Sequence, residues 1–396
     1  MSGWRRTFWV VFVSNLVSGA GLMSFLPFFP TLLEELGMQD EHARAIWSGV
    51  LFGAAPLSAA FMGPLWGSIG DRHGRKLMVV RALFGLALFV GAMAWARSAW
   101  DLLFLRLGQG VFSGYIPPSL TLVSVAAPRE LQGRVTSWLQ TASTVGTIAG
   151  PLIGALLLST VGPSAIFATV AIAAGASALF VWAFAWEAAL PESKAKLSLG
   201  PVLRGAWGDL VGLTRIPAMR EAFLLYAVVH FALGATNPQM EFFVEELWTG
   251  AHARVEGLTG TLFSALALSA ILATPLWGRF GDRVGHGIAL RLSSGLSALS
   301  LLAHAFVPAY GWLLGLRIAF GLASPGASAA AFGLAATETG SEKRGAAMGA
   351  VFSVRAFAIS AGSFAGGALS AAIGLRGLFA ASGALIAAAL FAGRKR

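Results

Sequence analysis

The sequence predicts an all-α membrane protein of twelve transmembrane helices in two pseudo-symmetric six-helix halves. Three observations carry that prediction. The first is composition: of 396 residues, 56% are hydrophobic and 12% charged, about half the charge of a soluble domain. The second is a series of apolar runs, each close to the ~20 residues a helix needs to cross a bilayer. The third is an internal repeat. Gly67-Ser-Ile-Gly-Asp71-Arg72-His-Gly74 returns 211 positions later as Gly278-Arg-Phe-Gly-Asp282-Arg283-Val-Gly285. The same offset relates Pro27 to Pro238, Pro64-Leu65-Trp66 to Pro275-Leu276-Trp277, and Arg106 with Gly110 to Arg317 with Gly321. One offset held from the first apolar run to the fourth marks a duplicated unit.

The runs of the first half lie at about 7–33, 46–66, 77–96, 101–124, 134–159 and 163–186. Those of the second lie at about 219–244, 257–277, 288–307, 310–336, 345–370 and 374–392. In lipid the backbone must satisfy its own hydrogen bonds, so each run is expected to be a helix. The first run is longer than the ~7–15 apolar residues of a signal peptide, so it counts as a span. The 49 glycines suit close backbone approach between helices. Residues 1–186 and 219–396 form the halves. Between them, 187–218 carries Pro191, Lys194, Lys196, Pro201 and Pro217 and reads as a cytoplasmic linker, with room for a short helix lying on the membrane.

Charge sets the orientation. With the N-terminus in the cytoplasm, 21 Lys and Arg fall on the inner side and four on the outer side (Arg44, Arg97, Arg254, Arg376). That asymmetry puts both termini inside. It also accounts for the net charge of +10 without a nucleic-acid partner. The chain has no cysteine, which excludes disulfides and thiolate metal sites. It has no G-x-x-x-x-G-K-[ST] loop, no H-E-x-x-H and no cluster of His, Asp and Glu. Neither an enzyme nor a bound metal or cofactor is expected, and ATP hydrolysis is excluded as the energy source.

Several residue sets carry candidate chemistry. Gly67, Asp71, Arg72, Gly74, Arg75 and Lys76 form a charged turn after the second span. Asp282 and Arg283 belong to its partial copy, which ends Gly285-His286-Gly287. An acid there can accept from backbone N–H groups at a neighbouring helix N-terminus; the plainer alternative is a turn that only sets topology. Gly146, Gly150, Pro151 and Gly154 place small residues four apart beside a proline. They read as a bend in a central path or as close helix packing.

Three arginines, Arg106, Arg317 and Arg355, lie inside spans, where a charge needs a polar surrounding. Arg106 has Asp101 or outer water within reach. Arg355 lies near mid-span and suits a substrate contact or an inter-helix lock. No acid lies in the middle of a span. The titratable candidates for proton coupling are Glu241, which fits an outer-vestibule charge equally well, and His230, which fits a helix–helix hydrogen bond. This shortage of acids favours neutral or anionic amphiphiles over cations. Asn15, Ser18, Met23, Tyr115, Trp138, Gln140, Asn237 and Gln239 are candidates to line a promiscuous cavity, with packing or lipid contact as the default for any one of them.

Taken together, these features resemble the major facilitator superfamily, and in the first half its bacterial multidrug members of the drug–proton antiporter branch. The family turn G-x-L-a-D-R-x-G-R-K is met with Ile69 for the leucine. The fourth-span signature L-x-x-x-R-x-x-Q-G is met by Leu102, Arg106, Gln109 and Gly110. The exporter signature G-x-x-x-G-P-x-x-G is met by Gly146, Gly150, Pro151 and Gly154. The second half departs from the pattern: its turn lacks the final Arg-Lys, and its eleventh span shows Gly362-Ser-Phe-Ala-Gly366-Gly367 without the Gly-Pro step. The resemblance implies a monomeric inner-membrane antiporter working by alternating access. Its partners would be protons, a small hydrophobic or amphiphilic substrate and the bilayer. The turn would clasp the halves. The alternatives are a specific metabolite exporter or uptake permease, or a non-transporting sensor or scaffold.

Overall fold

The computed structural model describes residues 3–187, 205, 208, 210–250, 254–339 and 344–394; of residues 64, 67, 68, 71, 72, 129, 344, 345, 393 and 394 it describes the backbone alone. Regular structure among the described residues is entirely helical. The first half contains α1 (Gly3–Phe25), α2 (Phe29–Glu35), α3 (Glu41–His73), α4 (Arg75–Met93), α5 (Ala99–Phe112), α6 (Ile116–Ala126), α7 (Gln132–Val161) and α8 (Pro163–Phe184). The second contains α9 (Pro217–Thr236), α10 (Met240–Leu247), α11 (Val255–Val284), α12 (His286–His304), α13 (Tyr310–Ala323), α14 (Pro325–Thr337) and α15 (Arg344–Arg394). The linker expected at 187–218 lies largely outside the described residues.

Among the described residues nine stretches are long and apolar enough to cross a membrane. The twelve expected spans are recovered once three details are read. α15 is two helices parted at Gly374, whose φ is 73°. The α5–α6 span is interrupted at Ser113–Tyr115, so neither piece is long enough alone. α12 buries Ser293, Ser294, Ser297 and Ser300 in its length, which lowers its apolar character.

Four spans expected to be continuous are broken. The breaks fall at Leu26–Phe28, Ser113–Tyr115, Asn237–Gln239 and Ser324. Each lies at or just before a proline, which has no N–H to donate and clashes with the preceding turn. Gly114 adds a φ of 90°, a conformation that glycine alone adopts cheaply. Pro163 and Pro217 instead open their helices, where the missing N–H has no intrahelical partner to lose.

The chain forms two compact units: Met1–Leu26 with Leu57–Leu203, and Pro27–Pro56 with Arg204–Arg396. The core of the first gathers Val11, Val79, Leu83, Val123, Leu139 and Val181. The core of the second gathers Tyr226, Phe243, Leu262, Leu301, Phe320 and Phe379. In the second unit the start of α3 packs on α15. Gly49 meets the carbonyl of Ser363, and Ser360 Oγ donates to the carbonyl of Gly53 at 2.9 Å. Among the large apolar side chains left outside, Trp95 (79% exposed) and Phe306 (82%) sit just past helix ends, where aromatic rings anchor a protein in the membrane interface.

Candidate functional site

The charged turn is mostly helix. α3 runs through Gly67, Asp71 and Arg72 to His73, and the chain reverses at Gly74 alone, with φ 105°. The second copy is built alike: α11 runs through Asp282 and Arg283, and Gly285 turns with φ 95°. Of Gly67, Asp71 and Arg72 the structure describes the backbone alone. α4 then starts at Arg75 and Lys76, whose backbone N–H groups both donate to the Glu187 carboxylate, at 2.6 and 3.1 Å. The acid that caps α4 is Glu187, just past α8, and no spacing rule in the sequence marks it. Glu187→Ala removes two hydrogen bonds and a favourable dipole contact. We expect it to lower stability by about 0.5–2 kcal/mol, seen as a lower thermal midpoint of the purified protein, with Glu187→Gln less severe.

In the second copy His286 stands where the first has Arg75. Its Nε2 lies 3.7 Å from Asp282 Oδ1. Its ring lies against α11 and α14, so close that a Cβ on Gly281 or Gly333 would come within 2.6 or 2.5 Å of it. Arg283 is exposed.

Gly146, Gly150 and Gly154 face α1. A Cβ on them would collide with the backbone carbonyls of Leu16, Ala20 and Ser24, in that order. Pro151 is buried within an uninterrupted α7. The seam continues through polar contacts. Asn15 Nδ2 donates to the carbonyl of Leu139 at 3.1 Å, and the Tyr115 hydroxyl to the carbonyl of Asn15 at 3.3 Å. Asn15, Ser18 and Tyr115 are therefore buried in helix packing, and Met23 lies against Gly150. Trp138 and Gln140, on α7, are exposed.

The second unit has a matching seam between α9 and α15, where Gly234 meets Ile359, Gly362 meets Phe231 and Gly366 meets Ala235, all backbone carbonyls. The eleventh span thus keeps the close approach without the proline. The readable signal was Gly362 and Gly366 four apart; Ala45, Gly49 and Gly53 on α3 carry the same unremarked spacing.

The buried charges find local partners. Arg106 is 2% exposed. It donates to Gln109 Oε1 at 2.5 Å and lies 5.6 Å from the Phe25 ring centroid. Asp101 does not pair with it. Its carboxylate accepts from Arg97 N at 2.9 Å while its own N–H donates to Ser98 Oγ at 3.2 Å, a reciprocal cap on α5. Arg317 is fully buried and donates to Asn237 Oδ1 at 2.7 Å, bracing the break between α9 and α10. Gln239 donates to the carbonyl of Ala45 at 3.0 Å and accepts from Ser370 Oγ at 3.2 Å.

Glu241 is not a vestibule charge. It has no exposure. One carboxylate oxygen accepts from Thr31 Oγ1 at 2.5 Å and the other from Thr31 N at 3.4 Å. Glu245 and Glu256 lie within electrostatic range. His230 is buried, its ring 4.2 Å from that of Tyr226. Its Nδ1 lies 3.0 Å from the Tyr226 carbonyl; a carbonyl only accepts, so Nδ1 carries the proton. Arg355, on α15, is exposed and within electrostatic range of both rings.

Comparison with known proteins meets this architecture. The family model of the Major Facilitator Superfamily matches residues 11–247 and 222–395. The multidrug resistance protein MdtG of Dickeya zeae (strain Ech586) is 30% identical over 321 residues, 81% of this chain and 77% of that protein. MdtG of Salmonella paratyphi A (strain ATCC 9150 / SARB42) is 28% identical over 384 residues, 97% and 93% of the two chains. Among solved structures, a bacterial homologue of the human lysosomal transporter Spinster, inward-facing and occupied, matches with a TM-score of 0.80 at 14% identity over 100% of this chain and 97% of that one. The human organic anion transporter MFSD10 (TETRAN) matches with 0.71 at 20% identity over 99% of each. At such identities the likeness is one of fold. Twelve helical crossings, a repeat with one offset and a family match from residue 11 to residue 395 lead to one conclusion: the chain belongs to the Major Facilitator Superfamily and is a membrane transporter.

Proposed function

We propose that this transporter exports small hydrophobic or amphiphilic compounds in exchange for protons. The observation that carries the reading is the likeness to multidrug resistance proteins, which reaches 97% of the chain. The exporter-type stripe supports it, since Gly146, Gly150 and Gly154 are all used at the α1–α7 seam. The protein would work as a monomer in the inner membrane with both termini in the cytoplasm, as the charge asymmetry implies. Asp71 and Arg72 would clasp the halves during the cycle. A specific metabolite exporter is the second reading, favoured if the substrate range proves narrow.

Glu241 is the coupling carboxyl in this proposal. It is titratable and buried, and its hydrogen-bond donor, Thr31, belongs to a different helix from its own. Proton binding at Glu241 and the parting of α2 from α10 therefore bias one another, which exchange transport requires.

The test uses everted membrane vesicles, an imposed pH gradient and a panel of fluorescent hydrophobic dyes, with wild type against Asp71→Asn. Gradient-dependent accumulation inside the vesicles, lost in the variant, is the expected result. If no dye responds to the gradient, the multidrug reading fails and a narrow metabolite takes its place.

A further inference from the structure

We propose that Arg355, backed by Tyr226 and His230, is an anion-recognition point that makes this transporter favour amphiphiles carrying a carboxylate or sulfonate. The inference rests on the transport reading and names the substrate class of that site.

Position comes first. Arg355 lies eleven residues after Arg344, where α15 starts. That is about 16 Å along the helix axis, close to the middle of a hydrocarbon core roughly 30 Å thick. At this depth it is exposed. A guanidinium facing lipid there is strongly disfavoured, so the exposed face is a watered one.

Arg44, Arg291 and Arg376 of the same unit each pair with a glutamate: Glu34, Glu221 and Glu246. Among the described residues no carboxylate lies within ion-pair distance of Arg355. Within its electrostatic range lie Tyr226 and His230, whose Nδ1–H is held by the Tyr226 carbonyl. Neither supplies a carboxylate. The positive charge is left to whatever enters the watered face.

An apolar surface lies beside it. Phe352, three residues before Arg355 and so on a neighbouring part of the helix surface, is 53% exposed and packs 5.0 Å from the Phe332 ring. The locus is also closely packed. Arg355, Ile359, Gly362 and Gly366 follow one stripe of α15. Along it, Gly234 meets Ile359, and Ser363 Oγ donates to the Gly234 carbonyl at 3.1 Å. A fixed cation next to an exposed aromatic face suits a ligand with an apolar body and one anionic group.

The test measures binding to the purified full chain in lipid nanodiscs, with empty nanodiscs as blanks and no pH gradient. The probes are 1-anilinonaphthalene-8-sulfonate and neutral N-phenyl-1-naphthylamine, which share a ring system and differ in the sulfonate. Wild type is expected to bind the sulfonate about tenfold more tightly than the neutral probe. Arg355→Gln should abolish that preference while leaving the neutral probe's affinity unchanged, which also reports an intact fold. Arg355→Lys should keep most of the preference. Equal affinity for the two probes in wild type, or an undiminished preference in Arg355→Gln, overturns the proposal. Gradient-driven export of neutral dyes without any anion preference sinks this inference alone. An anion preference in a protein that moves nothing against a gradient sinks the export reading instead.

Discussion

Replacing Gly154 with leucine should remove folded protein from the membrane. Gly154 sits where α7 crosses α1, and any Cβ there runs into the carbonyl of Ser24. The neighbour is backbone, so no side chain can swing away, and the two helices must separate. Overpacking of a well-packed core costs about 1–3 kcal/mol where side chains can adjust; here the backbone cannot, so the cost should reach at least the upper end. Gly133, on the same helix, has nothing within 4 Å of a built Cβ. There Gly→Ala should stabilise, by roughly 0.5–1 kcal/mol from backbone entropy. The opposite signs separate packing from helix propensity. Size-exclusion of solubilised, fluorescently tagged protein measures both. A normal monodisperse peak for Gly154→Leu would show that the seam is not a structural contact.

Glu241→Gln should uncouple transport. The amide keeps an oxygen to accept from Thr31, so the fold should be nearly unaffected, but it cannot take up and release a proton. Gradient-driven dye accumulation is expected to fall at least about tenfold, while dye binding to the purified protein stays at the wild-type level. Thr31→Val is the contrasting change. It leaves the carboxyl buried without its side-chain hydrogen bond, at a cost of about 1–3 kcal/mol, yet retains the titratable group. Its effects should be a lower thermal midpoint and a partial loss of gradient-driven accumulation, since only the Thr31 backbone N–H then links the two helices at Glu241. Wild-type gradient dependence in Glu241→Gln would eliminate Glu241 and leave His230 as the titratable candidate.

Much of the fold was legible in the chain because lipid is an unforgiving solvent. Apolar length alone places most helices, since a spanning backbone has no other way to satisfy its polar groups. The single offset of 211 residues then orders them into two sets. The breaks are signalled by Pro27, Pro117, Pro238 and Pro325, but hydropathy runs straight through them, so apolar length alone shows continuous spans. The exporter stripe was legible as a spacing, and its partner helix was not.

By itself, then, the sequence determined the helical class, the number of crossings, the repeat, the family and the short list of charges inside spans. Those follow from composition and local spacing, which act along the chain. Only the tertiary structure decided which partners those charges take. Glu241 meets Thr31, 210 residues away, and Arg317 meets Asn237, 80 residues away. Glu187 serves a helix that starts 112 residues earlier. Arg106 and Arg317, equivalent by the repeat, find different partners because Gln109 in one half is Phe320 in the other. A hydrogen bond depends on distance in space, and that distance is set by helix packing, in which residues far apart in the chain meet.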